Sequence, residues 1–356
     1  MDCPYRANII VGTITVGVTR ACCPRLLWLR PTAWRPSPVT RSIFHEDDIK
    51  VHLYRKFGIA KQEASALDGG NHMKSKALFL AAVVSLSAAV TCVAGDFAGP
   101  WGIQLYSVRT ELATNVPGTL DEVRSWGVKN VELAGTYGLT AEAFKAQLDE
   151  RGLIPVSAHF AYDEYRTNLA AVIRDARVLG LKYAGCAWIP RQNDGPFDEA
   201  KCREVIDVFN RAGKALAQNG VTFFYHSHGY EFQPYGDGTL FDLMMRKTNP
   251  KYVHYQMDVF WIVHGGQDPV ALLKKYPKRW ELMHLKGMRE STPTGLLTGE
   301  TDVRNDVALG TGKIDYAPIL REAKAIGIQW YFIEDESPSS EEQIPQSIQY
   351  LKTVNW

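Results

Sequence analysis

From Gly102 onward the sequence alternates eight times between a short apolar stretch and a longer amphipathic one, and this repeat constrains the fold more than any other feature. The apolar stretches fall at residues 102–108, 128–134, 154–160, 183–188, 221–227, 253–258, 281–286 and 330–334. Their length and near-continuous hydrophobicity suit strands buried on both faces. Residues 119–126, 141–151, 168–179, 199–219, 240–247, 269–275, 316–326 and 341–353 space their apolar side chains as helices do. Gly127, Gly152, Gly180, Gly220 and Gly327 each stand between a helix and the next strand, where a left-handed cap favours glycine. Parallel strands need crossover connections, and eight such units close on themselves. The expected fold is therefore α/β, a (β/α)8 TIM barrel over residues 97–356. An open doubly wound sheet is the competing architecture, but no GxGxxG follows the first strand, which argues against a dinucleotide-binding form.

The residues before this repeat read differently. Met73 opens a second beginning: Lys74 and Lys76 precede an apolar run at 77–90, then the small residues of Cys92-Val93-Ala94-Gly95. This is the pattern of a signal peptide over 73–95, too short to span a membrane comfortably. It implies a periplasmic or secreted protein with no membrane attachment after cleavage. Ala89-Val90-Thr91 is a poor approach to a lipidated cysteine. Residues 1–72 show no sustained period and are expected to be an unpacked or misassigned extension. If both segments are removed, only Cys186 and Cys202 remain, so no disulfide framework is implied.

Charge narrows the function. The whole chain has 40 Lys+Arg against 39 Asp+Glu, but 12 of the former and 6 of the latter lie before Asp96. Residues 96–356 keep 28 against 33, a net charge of about −5. A mildly acidic body lacks the basic footprint of a nucleic-acid binder. One connection, from Met288 to Lys313, is much longer than the rest and leaves the C-terminal rim of the barrel, where such enzymes carry their active sites.

The strand ends carry the chemistry. A barrel interior calls for Val, Ile and Leu, yet the late strands end in titratable groups. The fifth contains His226-Ser227-His228 followed by Gly229-Tyr230-Glu231, with His226 and His228 on one face by the strand's two-residue period. The sixth ends at Asp258, the seventh reads His284-Leu285-Lys286, and the eighth closes on Glu334-Asp335-Glu336. A barrel brings these neighbouring ends together. Imidazole with carboxylate suits a divalent ion such as Mn2+, Co2+ or Zn2+. His159 at the end of the third strand is a candidate for a sugar hydroxyl. Tyr106, Trp188 and Trp261, with Trp101, are candidate aromatic faces for a sugar ring, and Arg109 is a candidate for an acidic substrate group. Lys286 is placed to stabilise developing oxyanion charge or to pair with an acid.

Taken in order, Gly102-Ile103-Gln104-Leu105-Tyr106-Ser107, Tyr225 to Phe232, Asp258 with Trp261 and Gly265-Gly266-Gln267-Asp268-Pro269, His284-Leu285-Lys286, Gly310-Thr311-Gly312 and Ile333-Glu334 resemble the xylose isomerase-like barrel superfamily, in its sugar phosphate isomerase/epimerase branch. The resemblance covers nearly all of residues 97–356. It implies one metal ligand from each of strands five to eight, which matches Asp258, His284 and Glu334 on the last three. Many epimerases of the family carry a glutamate on strand five that is also an acid/base. Here that position is His226, so either His226 or Glu231 is the implied fifth-strand ligand. His228 lies where related dehydratases keep a histidine near the substrate. Gly287 departs from an Asp common in the family after the His-Leu-Lys run.

The expectation is an exported, metal-dependent isomerase, epimerase, lyase or dehydratase. Its partner is a small unphosphorylated sugar or keto-sugar, from which it removes a proton beside a carbonyl, with His228, Glu231, Glu334 and Lys286 as catalytic candidates. A non-catalytic sugar-binding barrel and an AP endonuclease-like nuclease are the alternatives. A homo-oligomer is compatible with the sequence.

Overall fold

A computed structural model describes residues 97–191 and 195–356. The expected extension and leader at 1–95 lie outside the described residues.

Eight parallel strands close into a barrel: β1 (Trp101–Gln104), β2 (Asn130–Leu133), β3 (Ile154–His159), β4 (Tyr183–Cys186), β5 (Thr222–His226), β6 (Val253–Asp258), β7 (Trp280–Leu285) and β8 (Trp330–Ile333). The ring closes where β1 pairs with both β2 and β8, at Ile103 with Val131 and with Ile333. Eight main helices surround it: α1 (Val116–Ser125), α2 (Ala141–Glu150), α3 (Leu169–Leu179), α4 (Glu199–Ala217), α5 (Leu240–Lys247), α6 (Pro269–Lys275), α7 (Tyr316–Ile326) and α8 (Ser340–Leu351). The expected TIM barrel is therefore the fold. Gly180 and Gly327 end α3 and α7 at φ 70° and 85°, a conformation that costs an L side chain about 1–2 kcal/mol. Among the described residues no helix is long and apolar enough to cross a membrane.

The barrel interior is built in two layers. Val156, Tyr183, Phe224, Leu282 and Phe332 pack together with Trp330 as an apolar floor. One strand period further on, Phe224 gives way to His226 and Leu282 to His284. The layer above the floor is thus polar: Gln104, Glu132, Ser157, Gln256, Asp258 and His284 are all fully buried.

Short helices depart from the expected pattern at the C-terminal rim, three of them beside the site. The first strand ends at Gln104 rather than 108, because the Gln104 side chain accepts from Tyr106 N at 3.1 Å and caps a 3-10 turn over Leu105–Val108. Tyr162–Thr167 forms a helical turn after β3. Asp258 closes β6 and starts a helix over Val259–His264 by accepting from Trp261 N at 2.9 Å.

The long connection after β7 is folded onto the barrel mouth. Gly287–Met288 pairs antiparallel with Asp306–Val307, and Lys313 N returns to Met288 O at 2.8 Å. A Cβ on Gly287 would lie 1.9 Å from Val307 O. Only glycine lets these two segments approach so closely.

Candidate functional site

At the C-terminal mouth a cavity of about 540 Å³ is lined by residues of every part of the barrel. Its wall includes Tyr106, His159, Trp188, Trp261, His226, His228, Lys286 and Glu334, together with Gly299, Glu300, Thr301, Val303 and Asp306 from the long connection. All four expected substrate-contacting residues, His159, Tyr106, Trp188 and Trp261, therefore border one space. Trp101 does not line it and belongs to the start of β1, at the barrel's opposite end. Arg109 stacks over Tyr106 at 4.3 Å and donates to Tyr106 O and Glu336 O at the rim.

Four ligand-capable groups converge. Ligand atoms of Asp258, His284 and Glu334 all lie within 4.8 Å of one another. His284 Nδ1 is 3.0 Å from Glu334 Oε2 and 3.7 Å from Asp258 Oδ2, and His226 Nε2 is 3.8 Å from the same Asp258 oxygen. Donors bound at about 2.1 Å to one tetrahedral ion stand about 3.4 Å apart, so these separations suit a shared divalent cation. Asp258 shows the same fit. Its Oδ1 is used by the helix cap, whereas Oδ2 is buried without a hydrogen-bond partner, an arrangement that a cation would satisfy.

Glu231 is elsewhere. Its carboxylate accepts from the Tyr225 hydroxyl and, at 3.1 Å, from His228 N. Tyr225 alternates with the inward Phe224 and His226, so it and Glu231 sit behind the strand. Glu231 does not line the cavity, and its burial raises its carboxyl pKa despite the Tyr225 bond. The fifth-strand group that joins the cluster is His226.

The remaining polar groups divide by charge. Burial alone would strip Lys286 of its proton, but Asp306, Glu336 and Glu334 outweigh it and hold the ammonium charged. Lys286 Nζ lies 3.5 Å from Asp306 and 3.8 Å from Glu334, contacts Glu336, and sits over the Trp261 ring at 5.3 Å. Burial raises Glu334, but Lys286 and His284 more than reverse this and hold it ionised. His228 stands between Trp188 and Trp261, at 5.3 and 5.4 Å. Burial first, then the Lys286 charge, push its imidazole down to about 3. His228 is therefore held as a neutral imidazole.

One central residue escaped the sequence reading. Glu132, in Asn130-Val131-Glu132-Leu133, is fully buried on the barrel axis. It contacts His284 Nε2 and Ser157 Oγ, accepts from Gln104 Nε2 at 2.8 Å and Gln256 Nε2 at 3.0 Å, and lies 3.3 Å from His159 Nε2. Burial would raise its carboxyl, but His159 and His284 outweigh this and keep it below the usual range. A lone acid inside an apolar strand was the signal that marked it. Asp306 gave no comparable signal, because loop acids are ordinarily solvated.

Residues 120–354 match the profile of the xylose isomerase-like TIM barrel family. The chain belongs to this family. Among curated relatives, an inosose dehydratase of Clostridium botulinum is 26% identical over 266 residues, spanning 65% of this chain and 87% of that protein. An inosose dehydratase of Geobacillus thermodenitrificans is 28% identical over 243 residues, spanning 61% and 80%. A solved sugar phosphate isomerase/epimerase of Parabacteroides distasonis superposes with a TM-score of 0.59 at 25% identity, covering 72% of this chain and 94% of that one. The structure of the IolI protein with a bound zinc atom shares the fold, with a TM-score of 0.56 at 16% identity over 71% and 95%.

Proposed function

We propose that this family member is a divalent-metal-dependent carbohydrate lyase or isomerase that removes a proton beside the carbonyl of an unphosphorylated sugar or keto-sugar. The observation that carries the reading is the convergence of Asp258, His284 and Glu334, with His226 Nε2 3.8 Å from Asp258, His226 and Glu334 lining the cavity, and Asp258 Oδ2 left without a hydrogen-bond partner. The likeness to inosose dehydratases and to a sugar phosphate isomerase/epimerase supports a carbohydrate substrate and proton-transfer chemistry of either kind.

A bound divalent ion at these four residues would polarise a carbonyl and an adjoining hydroxyl, stabilising negative charge where it develops. The chain supplies the rest. Lys286, held as a cation, faces the same space and adds a second positive charge for an oxyanion. His228 and Trp261 line the cavity, and Trp261 Nε1 and His228 Nδ1 are buried without a hydrogen-bond partner, which a substrate oxygen reaching them would satisfy. Neutral His228 accepts a proton without first losing one. Its weak basicity leaves most of the barrier reduction to the surrounding positive charge. The aromatic faces of Tyr106, Trp188 and Trp261 suit a sugar ring. The wall carries the acids Asp163, Glu300, Asp306, Glu334 and Glu336 and the cation Lys286, with Arg191 and Arg109 beside Glu300 and Glu336 and burial raising Asp306 to about 8; among the described residues it offers no cluster of free cations for a phosphate.

The test is to load the metal-free protein with Zn2+, Mn2+ or Co2+ and incubate it with inososes and keto-sugars in D2O. Metal-dependent deuterium incorporation beside the carbonyl is expected, with water lost if the reaction is a dehydration. Full retention of the original hydrogen at its new carbon would indicate a hydride shift and end the proton-transfer reading. Sugar binding without exchange or turnover would favour a non-catalytic barrel.

A further inference from the structure

We infer that Glu132 is a positioning residue for the metal centre: together with Gln256 it sets which nitrogen of His226 and of His284 carries the proton, so that both lone pairs face one point. This rests on the reading that His226, Asp258, His284 and Glu334 hold an ion.

An imidazole ligates through its unprotonated nitrogen, and the other nitrogen needs an acceptor for its proton. His284 turns Nε2 to the Glu132 carboxylate and leaves Nδ1 facing Glu334 and Asp258. His226 turns Nδ1 to Gln256 Oε1 at 2.9 Å and leaves Nε2 facing Asp258. The two rings use opposite nitrogens, so no uniform tautomer preference would serve both. His284 meets the Glu132 carboxylate, and His226 meets Gln256 Oε1, which His159 Nε2 also approaches at 3.0 Å.

The Gln256 acceptor is in turn fixed by Glu132. Gln256 Nε2 donates to both Glu132 oxygens, at 3.1 and 3.0 Å. A flipped amide would set its carbonyl against the carboxylate and its NH2 against the His226 N–H. One carboxylate therefore governs His284 directly and His226 through a single amide. Glu132 is itself oriented by Gln104 and Ser157 from β1 and β3, on the side of the barrel away from the four ligands. A fully buried acid in a network of this kind is seldom the most stable filling of a core, where well-packed apolar residues do as well or better. Its placement behind the ligands accounts for it.

The experiment uses the full chain with 15N-labelled histidine, loaded with Zn2+. Long-range 1H–15N correlation spectra, assigned through single histidine substitutions, read the tautomers directly without altering Glu132. Protonated Nε2 on His284 and protonated Nδ1 on His226 are expected. Either opposite tautomer overturns the inference. Zinc affinity is then measured by chelator competition. Glu132→Gln should bind zinc about 10–100-fold more weakly, with part of the loss recovered in Glu132→Asp, and Gln256→Met should weaken binding and release the His226 tautomer. Wild-type zinc affinity in Glu132→Gln overturns the positioning role while leaving the metal reading intact. A wild-type protein that binds no zinc, Mn2+ or Co2+ at this site defeats the metal reading and the inference with it.

Discussion

Asp258 shows how one side chain serves fold and site at once. Oδ1 caps the helix over Val259–His264 through Trp261 N, while Oδ2 faces His226 and His284. The two tasks separate by substitution. Asp258→Asn keeps an oxygen for the cap, so the metal-free protein should melt at or above the wild-type temperature while zinc retention after dialysis falls sharply. Asp258→Ala should lose zinc equally and cost about 1 kcal/mol of stability besides, the usual cost of losing a cap. Equal melting temperatures for the two variants would show that the cap contributes nothing. Undiminished zinc in Asp258→Asn would remove this residue from the ligand set. Of the site residues, His226, His284 and Glu334 were legible because titratable groups at strand ends stand out against an apolar barrel. Glu231 misled because sequence adjacency to His228 does not reveal which side of the strand a turn folds onto, and the Tyr225 hydroxyl and His228 N hold it behind.

At the scale of elements, the Gly287–Met288 and Asp306–Val307 pairing is what turns a long loop into a wall of the cavity. It carries Asp306 to within 3.5 Å of Lys286. A side chain at 287 would meet Val307 O, so Gly287→Ala should force the two segments apart. Overpacking of this kind costs about 1–3 kcal/mol. A fall of several degrees in melting temperature is expected, with faster proteolytic cleavage between residues 289 and 305. An unchanged melting temperature and digestion pattern would mean that the pairing does not hold the loop. The length and composition of 288–313 announced a functional loop, but not this pairing, since two-residue strands leave no period to read.

For the whole molecule, the closed ring of β1–β8 with its surrounding helices lies entirely after residue 96. Phe97 N bonds to Leu351 O at 3.2 Å, and its ring packs on Tyr331 and Trp356, tying the start of the described region to its end. A chain beginning at Phe97 is therefore expected to fold with the melting temperature and metal affinity of the full-length protein. A drop in either would give residues 1–96 a structural part. Export from the cell remains a proposal from the pattern at 73–95, tested by whether the N-terminus of protein recovered from the periplasm or medium lies near residue 96.

Sequence alone determined the eight-fold alternation, and with it the barrel, since helices and buried strands leave local periods and parallel strands must be joined by crossovers. It also determined that titratable groups gather on strands five to eight, because strand order is fixed once the barrel closes. Tertiary structure decided what meets across the axis. Glu132 on β2 reaches His284 on β7, separated by 152 residues, and Gln256 bridges Glu132 to His226. Such contacts depend on which strand faces carry which side chain at one height of the barrel. Only closure brings opposite walls close enough for a buried carboxylate to find the protons it needs.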